Sequence, residues 1–450
     1  MKTIGKYRIL GLLGKGGTSR VYKVMVPEIG NIVALKWLYP HPFLLDLLGM
    51  EKLEELFLSE ARIMAKLRHP HLLPVWDYGV ALGRPFYTME YLCDNVGLWI
   101  GEGAEVEIPT RQLPVDMALR ITRETLSGLA RMHAGGWIHR DIKPFNLLLT
   151  DQSSVRIADF GLSLTRGEKA AYPKNLKIGS PYYAPPEQEA APDSVGFSSD
   201  LYSVGVTLYR MLTGNLPQFS MASIADLVPE LDETWDMFFR SAIAPDPKRR
   251  FQTAEDMDAA IQELQQSWER RKSLICQLEP EPKLIESQIR DPTNRPIRHL
   301  PQKIGFHEAR ECFHLDLLWR PDHPLAPDFV SVGKNLVADR VNGLIWEQSG
   351  SAYPENVRQS LLRIERMNRE RFCGIGSWRL PTVEEMLTLI APPSRFEKIC
   401  APSFFDPLQK RLWSIDRKSA TACWFASLDV GFVHWLDVTG YAYSRAVSTA

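Results

Sequence analysis

Between His139 and Asn146 the chain reads His-Arg-Asp-Ile-Lys-Pro-Phe-Asn, and Asp159-Phe160-Gly161 follows shortly after. One loop thus carries an acid, a lysine and an amide, and a second acid stands a hairpin's length away. Phosphoryl transfer from a nucleotide needs that set. One carboxylate orients the attacking hydroxyl, a cation sits near the moving phosphoryl group, and a second carboxylate with an amide holds Mg²⁺ against the triphosphate. Either piece alone arises by chance; the two in this order, with the motifs below, argue against coincidence.

A chain of 450 residues has room for about two or three domains. Apolar residues make up 45% and charged residues 24%, as in an ordinary soluble globular protein. Lys plus Arg (53) balances Asp plus Glu (54), so no global field points to nucleic acid or an anionic membrane. The six cysteines, at 93, 276, 312, 373, 400 and 423, form no CxxC pair and no zinc-like spacing, which fits a reduced compartment. Met1 to Tyr7 lacks the apolar run of a signal peptide, and no stretch approaches the roughly 20 apolar residues of a membrane helix. The expectation is a cytoplasmic protein that reads an intracellular signal, without a transmembrane segment.

From Tyr7 to about Val80 the pattern is strands with one long helix among them. YRILGLLGKGGTSRVYKVMV gives two strands about a glycine turn, and NIVALKWLY supplies a third. EKLEELFLSEARIMAKL, from Glu51 to Leu67, repeats apolar residues at the i, i+3, i+4 spacing of an amphipathic helix. After Glu90 the chain turns mostly helical: VDMALRITRETLSGLARMHAGG ends on a glycine pair, and SSDLYSVGVTLYRMLTG is apolar almost all round, as a core helix should be. Residues 267–305, rich in Pro, Glu and Arg, read as a linker with some helix at its start. A second compact unit, dense in tryptophan, begins near Phe306.

The glycine turn is Gly14-Lys15-Gly16-Gly17-Thr18-Ser19-Arg20-Val21. Without side chains in the way, backbone amides can approach phosphates there; read alone, a flexible hairpin fits as well. Val33-Ala34-Leu35-Lys36 and, further on, Glu60 in FLSEARIMAKLRHPHLLPV complete the series. These stretches, with His139–Asn146 and Asp159-Phe160-Gly161, resemble the bacterial Hanks-type (eukaryotic-like) Ser/Thr protein kinases from about Lys6 to Gln266. The resemblance implies a bilobal α+β kinase fold over 1–266, a β-rich lobe to about residue 90 and a helical lobe after it. It implies ATP and Mg²⁺ as cofactors and Ser/Thr hydroxyls of proteins as acceptors. Lys36 would neutralise the α- and β-phosphates, aimed by Glu60; the alternative for Glu60 is a solvated surface glutamate. Leu13 to Ser19 and Val21 would cover the nucleotide, although the family usually has a third glycine where Ser19 stands. Met89 would back the adenine pocket, backbone groups of Glu90 and Leu92 would bind the base, and Ala34 and Leu148 would wall it. The link between Lys36 and Glu60 is long and contains HPFLLDLLG, an inserted turn that bears on how the Glu60 helix is placed. After the hinge, DNVGLWIGEGAEVEIPTRQLP reads as an irregular insertion with Trp99 and Ile100 exposed, open either to a partner or to local packing.

By the same resemblance, Asp141 would orient the substrate hydroxyl, Lys143 stabilise the transferred group, and Asn146 and Asp159 bind metal. Lysine two residues after the aspartate favours Ser/Thr over Tyr kinases. Arg140 would pair with a phosphate on the segment 159–187, with Thr165, Ser163 and Ser180 as candidate acceptors. Glu187, after Pro185 in place of the usual alanine, would pair with Arg250, and Asp200 would brace the loop. Every catalytic side chain is present, so an active kinase is expected; the alternative is a nucleotide-binding pseudokinase scaffold acting through its C-terminal domain. Transfer to a small molecule conflicts with the Ala-Pro-Glu-like segment. Dimerisation fits activation in trans, but no surface identifies it.

The C-terminal stretches ADRVNGLIWEQSG, GIGSWRLPTVEEMLTLI and CWFASLDVGFVHWLDVTGYAYSRAVS resemble the Lcl-type C-terminal domain of collagen-like adhesins. Trp378 to Thr382 is similar to a motif of formylglycine-generating enzymes, which implies a small C-type-lectin-like α+β domain over 306–450. Pro381 fits the first turn of a helix whose N-terminus Glu384 and Glu385 favour. Trp346, Trp378, Trp413, Trp424 and Trp435 read as core or half-buried plugs; the other reading is a surface for an unknown ligand or protein, giving a sensing or recruitment domain. Oxidase chemistry is not expected, because Cys400 and Cys423 lack the paired-cysteine signature.

Overall fold

The computed structural model describes residues 3–103, 105–161, 164–165, 180, 182–218, 223–278, 297–323, 327–333, 335–390, 402 and 404–449. Packing divides the chain into two compact units, 1–112 with 116–266, and 267–450 with 113–115.

The first unit begins with strands β1 (Thr3–Ile4), β2 (Tyr7–Lys15), β3 (Ser19–Met25) and β4 (Ile32–Leu38). Helices α1 (Pro42–Leu48) and α2 (Met50–Lys66) follow, then β5 (Val75–Ala81) and β6 (Arg84–Glu90). The strands form one sheet in the order β1-β2-β3-β4-β6-β5, antiparallel throughout. Ile4, Tyr7, Val24, Val33, Leu35, Trp37, Ala81 and Phe86 pack into a core on one face. Burying each large side chain contributes about 1.5–3 kcal/mol. Gly79 lets β5 approach it: a Cβ there would stand 2.7 Å from the Phe86 ring. In α2 the buried face holds Leu53, Phe57, Glu60, Ala61, Ile63 and Met64, the helical spacing read in the sequence. That face carries one acid, Glu60, inward with the apolar residues. The HPFLLDLLG insertion forms α1, a helix of its own rather than a turn.

Next come β7 (Asp94–Asn95), α3 (Val96–Ile100), α4 (Val115–Ala134) and β8 (Trp137–Ile138). A 3₁₀ turn, Pro144–Asn146, leads into β9 (Leu147–Leu149), β10 (Val155–Ile157) and β11 (Leu164–Thr165). Helices α5 (Pro186–Ala190), α6 (Phe197–Thr213), α7 (Ile224–Leu227), α8 (Glu233–Ala242) and α9 (Ala254–Leu278) close the series. Helix α6 is buried almost all round, as its composition requires. The stretch after the hinge departs from expectation: Trp99 and Ile100 are buried, not exposed, and the chain there is helical. The Asn95 side chain caps α3 by accepting from Leu98 N at 2.9 Å. Trp99 Nε1 donates to Asp94 Oδ2 at 2.8 Å, and Arg111 Nε donates to the Trp99 carbonyl at 2.8 Å. Polar groups on either side of the indole are satisfied internally, so the ring has no call on a partner. Helix α9 runs on to Leu278, through the start of the stretch read as linker, with Trp268 buried.

The second unit contains α10 (Phe306–Cys312), β12 (Phe329–Ser331), β13 (Leu336–Asp339), β14 (Leu344–Glu347), α11 (Val357–Arg369) and α12 (Val383–Leu387). It ends with β15 (Arg411–Ser419), β16 (Ala422–Ser427), β17 (Phe432–Asp437) and β18 (Val447–Thr449). The strands form two antiparallel sheets, β12-β13-β14-β18 and β15-β16-β17. Trp346, Trp378, Trp413 and Trp424 lie in the core and Trp435 is half-buried. Helix α12 starts with a capping box: Thr382 N donates to Glu385 Oε2 at 2.9 Å, and Glu385 N donates to Thr382 Oγ1 at 3.2 Å. Pro381 therefore stands just before the cap, not in the first turn as expected. Residues 297–304 are bonded to this unit: the Arg298 guanidinium pairs with both Asp416 oxygens at 2.8 Å, and Trp424 Nε1 donates to the Ile304 carbonyl at 3.0 Å.

Candidate active site

Strand pairing builds one wall of the site. Cross-strand partners in an antiparallel sheet share a face, as do alternate residues along a strand. Lys36 pairs with Val21 on β3 and with Tyr87 on β6, and Ala34 pairs with Met89. Val21, Ala34, Lys36, Tyr87 and Met89 therefore share a face, bringing together the expected pocket wall. The β4–β6 ladder ends at Val33 and Glu90, so the backbone at Leu92 has left the sheet. Leu148 lies on β9, paired with Asn95 next to that hinge.

Lys36 Nζ donates to Glu60 Oε1 at 2.7 Å and to Asp159 Oδ1 at 3.0 Å. Glu60 is buried, which removes the surface alternative. Sequence reasoning missed the fourth member, Tyr87, whose hydroxyl donates to Glu60 Oε1 at 2.9 Å; strand register alone could have placed it opposite Lys36. Burial by itself would lower the Lys36 ammonium, but attraction from Asp159 and Glu60 outweighs it and holds the group well above the usual lysine range. The same Lys36 ammonium pulls Asp159 down to about 2 against the opposing effect of burial.

The glycine turn closes β2 onto β3. Gly14 and Lys15 pair with Val21 and Arg20, Leu13 is exposed, and Gly16 N donates to the Ser19 carbonyl at 2.8 Å. Ser19 is buried as the first residue of β3, opposite Leu38, where extended backbone needs no glycine. Gly17 and Thr18 form the tip.

Below them lies the loop after β8, organised by Asp200 from α6. Asp200 Oδ1 accepts from Arg140 N at 2.8 Å, and Oδ2 accepts from His139 N at 2.9 Å and lies 2.9 Å from His133 Nε2. Burial would raise this carboxyl, yet hydrogen bonds from His133 and the loop backbone outweigh it and keep the group below the usual aspartate range. Arg140 and Asp159 adopt φ of 70° and 66°, left-handed conformations that cost about 1–3 kcal/mol and persist only where surroundings enforce them. Asn146 Nδ2 donates to the Asp141 carbonyl at 2.8 Å and to its Oδ2 at 2.9 Å. Lys143 Nζ donates to Asp141 Oδ2 at 2.7 Å and to Ser180 Oγ at 2.9 Å, while the Ser180 hydroxyl donates to Asp141 Oδ1 at 3.0 Å. Asp141, Lys143 and Asn146 thus form one bonded set, with Ser180 drawn into it.

The remaining expected residues are placed as follows. Glu187 takes a bidentate pair from Arg250, Oε1 at 2.7 Å and Oε2 at 2.8 Å. Thr165 lies on β11, paired with Trp137, and Ser163 lies outside the described residues. Tyr182 and Tyr183 donate to Glu107 and Glu102, so the insertion after the hinge grips the end of the 159–187 segment. No local motif announced those two contacts.

The family model for the protein kinase domain matches residues 7–278. The chain belongs to that family. Among relatives of the protein kinase, the probable serine/threonine-protein kinase pknA2 of Bifidobacterium longum is 35% identical over 213 residues, covering 47% of this chain and 27% of that protein. The probable serine/threonine-protein kinase PknB of Lactococcus lactis is 31% identical over 269 residues, covering 56% and 41%. The chain therefore spans less than half the length of these relatives. The PknI kinase domain of M. tuberculosis is 24% identical, with a TM-score of 0.46, covering 59% of this chain and 98% of that one. A second family model, the Lcl C-terminal domain, matches residues 335–448.

The protein kinase family implies Mg²⁺, and the donor set fits a hard cation. Among the described residues, Asp159 Oδ2 and Asn146 Oδ1 accept no hydrogen bond, and the low Asp159 carboxyl is ionised at any working pH. One carboxylate and one amide oxygen suit Mg²⁺, which keeps several waters and takes substrate phosphates rather than an all-protein cage. Among the described residues no cluster of three His, Cys, Asp or Glu offers such a cage, and no helix is long and apolar enough to cross a membrane.

Proposed function

We propose that the chain is an active Ser/Thr protein kinase that transfers the γ-phosphoryl group of ATP to protein hydroxyls. The observation that carries this reading is the serine hydroxyl 3.0 Å from Asp141 Oδ1, with Lys143 Nζ 2.7 Å from the other carboxylate oxygen. A carboxylate at that distance from a hydroxyl is within reach for proton transfer. Asp141 orients the acceptor and takes its proton as the hydroxyl oxygen bonds to the γ-phosphorus. The bond to the β–γ bridging oxygen breaks, and ADP leaves. Lys143 balances charge on the moving group, Lys36 holds the α- and β-phosphates, and Glu60 with Tyr87 aims Lys36. Asn146 and Asp159 would hold Mg²⁺, which when bound neutralises the triphosphate oxygens. The glycine turn covers the phosphates, and Glu90 and Leu92 offer backbone groups to adenine between Val21, Ala34, Met89 and Leu148.

Ser180 serves better as part of this set than as a modified residue, since both oxygens of Asp141 and the Lys143 ammonium are tied up around it. That leaves Thr165 and Ser163 as the acceptors whose phosphate Arg140 would meet. Residues 1–266 form the catalytic domain in this reading. The C-terminal domain is a C-type-lectin-like sensing or recruitment module, in a cytoplasmic protein able to pair with a second copy.

The test is purified full-length protein with ATP and Mg²⁺, read by phosphate incorporation and mass spectrometry. Asp141→Asn should abolish transfer while ATP still binds. Transfer that survives this change, or binding without transfer in the wild type under any divalent metal, sinks the assignment.

A further inference from the structure

The inserted helix α1 touches the one part of the nucleotide site that is otherwise a hairpin tip. His41 N, at the start of the helix, donates to the Gly17 carbonyl at 2.7 Å, and Tyr39 N donates to the Thr18 carbonyl at 2.9 Å. Leu44 lies against the same glycine: a Cβ on Gly17 would stand 3.2 Å from Leu44 Cδ1. A trans peptide is planar, so its N–H points opposite its carbonyl. With the Gly17 carbonyl drawn to His41, the Thr18 N–H is turned away from α1. Among the described residues the Gly17 and Thr18 amides donate to no group, whereas Gly16 N is engaged within the turn. Two successive amide donors are thus left, and the direction of the second, Thr18 N–H, is set by a bond from outside the hairpin.

We propose that His41 and Leu44 are positioning residues for ATP: they hold the glycine turn, with the Gly17 and Thr18 amides presented to the phosphates, before the nucleotide arrives. The inference rests on the nucleotide-site reading above. A hairpin tip that must be ordered on binding loses affinity to that ordering, and one fixed beforehand does not. The same stretch reaches the lysine–glutamate pair. Gly49, at φ 75°, ends α1 through its N–H to Leu45 O at 2.9 Å and starts α2 by accepting from Leu53 N at 3.3 Å. One glycine therefore separates the tether on the turn from the helix that carries Glu60.

The backbone at His41 makes a test of the tether possible. Its φ of −64° and ψ of 141° are values that proline adopts and that a following proline requires. His41→Pro removes the N–H at a compatible φ but sets its ring carbon in the hydrogen's place, against the Gly17 carbonyl 2.7 Å from that nitrogen. The tip is then displaced as well as untied. His41→Ala keeps the N–H and removes the side-chain cap on Phe43 N at 3.4 Å. One backbone hydrogen bond is worth roughly a factor of five in an equilibrium constant. On the full chain, His41→Pro should weaken ATP binding by at least about five-fold by equilibrium titration and raise KM for ATP in parallel, with kcat little changed. His41→Ala, which keeps the tether and loosens only the cap of α1, should weaken binding less than His41→Pro does. Leu44→Ala should shift the same way as His41→Pro, and Leu44→Met should restore wild-type binding. Equal effects of His41→Pro and His41→Ala, no effect of either, or a fall in kcat at constant KM overturns the inference. ATP affinity that responds as described in a protein that transfers no phosphate supports the tether and removes only the transferase reading. A wild type that does not bind ATP overturns both.

Discussion

Each unit has a buried aspartate that gathers hydrogen bonds from distant parts of the chain, Asp200 in one and Asp416 in the other, and the two differ in what they leave outside. Asp200 in the kinase unit binds the backbone of His139 and Arg140 and the ring of His133. Asp416 in the C-terminal unit binds Arg298 twice, Gln302 N at 2.8 Å and Val383 N at 2.8 Å. Both satisfy a buried charge by several hydrogen bonds, as burial demands. The loop that Asp200 shapes continues into Asp141 and Lys143, which reach beyond their own backbone to a substrate-like hydroxyl. Around Asp416 the charges consume one another: Arg298 also meets Glu384, and Arg379 and His299 both meet the buried Glu385. A buried ionic hub is therefore no sign of a site; side chains that the hub holds aimed at a hydroxyl beyond it are.

The comparison predicts unequal consequences for equal damage. Asp200→Asn keeps the volume but cannot accept from three donors, so the loop shifts, and displacement of a catalytic group by about 1 Å costs on the order of 10²-fold in rate. Phosphoryl transfer by the folded variant should fall by that amount; a wild-type rate would show that the loop holds itself. Asp416→Ala takes two 2.8 Å partners from the Arg298 guanidinium and leaves its longer contact with Glu384; breaking a buried pair costs about 3–5 kcal/mol. Calorimetry on the full chain should show that loss, with transfer per folded molecule unchanged. A rate loss as large as that of Asp200→Asn would end the contrast.

Tyr87→Phe probes a smaller element of the same contrast. It deletes one hydrogen bond to a carboxylate, worth about 1.5–3 kcal/mol, and leaves the ring in place over β6. KM for ATP should rise, because Glu60 is less well fixed and Lys36 with it. No change in either kinetic constant would show that the lysine pair suffices to orient itself.

These contacts also mark where the sequence was legible. Lys36, Glu60, Asp141, Asn146 and Asp159 stand in short motifs that resemble those of the kinase family, so their association could be read from that resemblance before any fold was known. The buried face of α2 followed from helical spacing, and the core character of α6 from its composition. Tyr87, the Trp99–Asp94–Arg111 knot, the grip of Glu102 and Glu107 on Tyr183 and Tyr182, and the tether of α1 on Gly17 were not legible. Each depends on which face a strand presents or where an insertion lands, and no periodicity encodes that. The docking of Arg298 onto Asp416, 118 residues away, is of the same kind: a Pro- and Arg-rich stretch looks like linker until its partner is in place.

The smallest effect lies in acid. The Asp159 carboxyl titrates at about 2 in the folded chain against 3.8 for an ordinary aspartate. Between those values the unfolded chain takes up a proton that the folded chain does not, so lowering the pH favours unfolding. The contribution of Asp159 is complete above its unfolded value and is lost as the pH falls through the folded one. Its side chain is about half exposed (51%), which screens the pair with Lys36 and limits the stabilisation to roughly 1 kcal/mol or less. Asp200 is also held low but is fully buried, and its loss follows the same sign. Urea titrations of wild type and Asp159→Asn should therefore diverge above about pH 4 and converge toward pH 2. If Asp159→Asn is instead the more stable protein at neutral pH, the carboxylate costs the fold more in burial than Lys36 returns, and its place beside the lysine is kept for function alone.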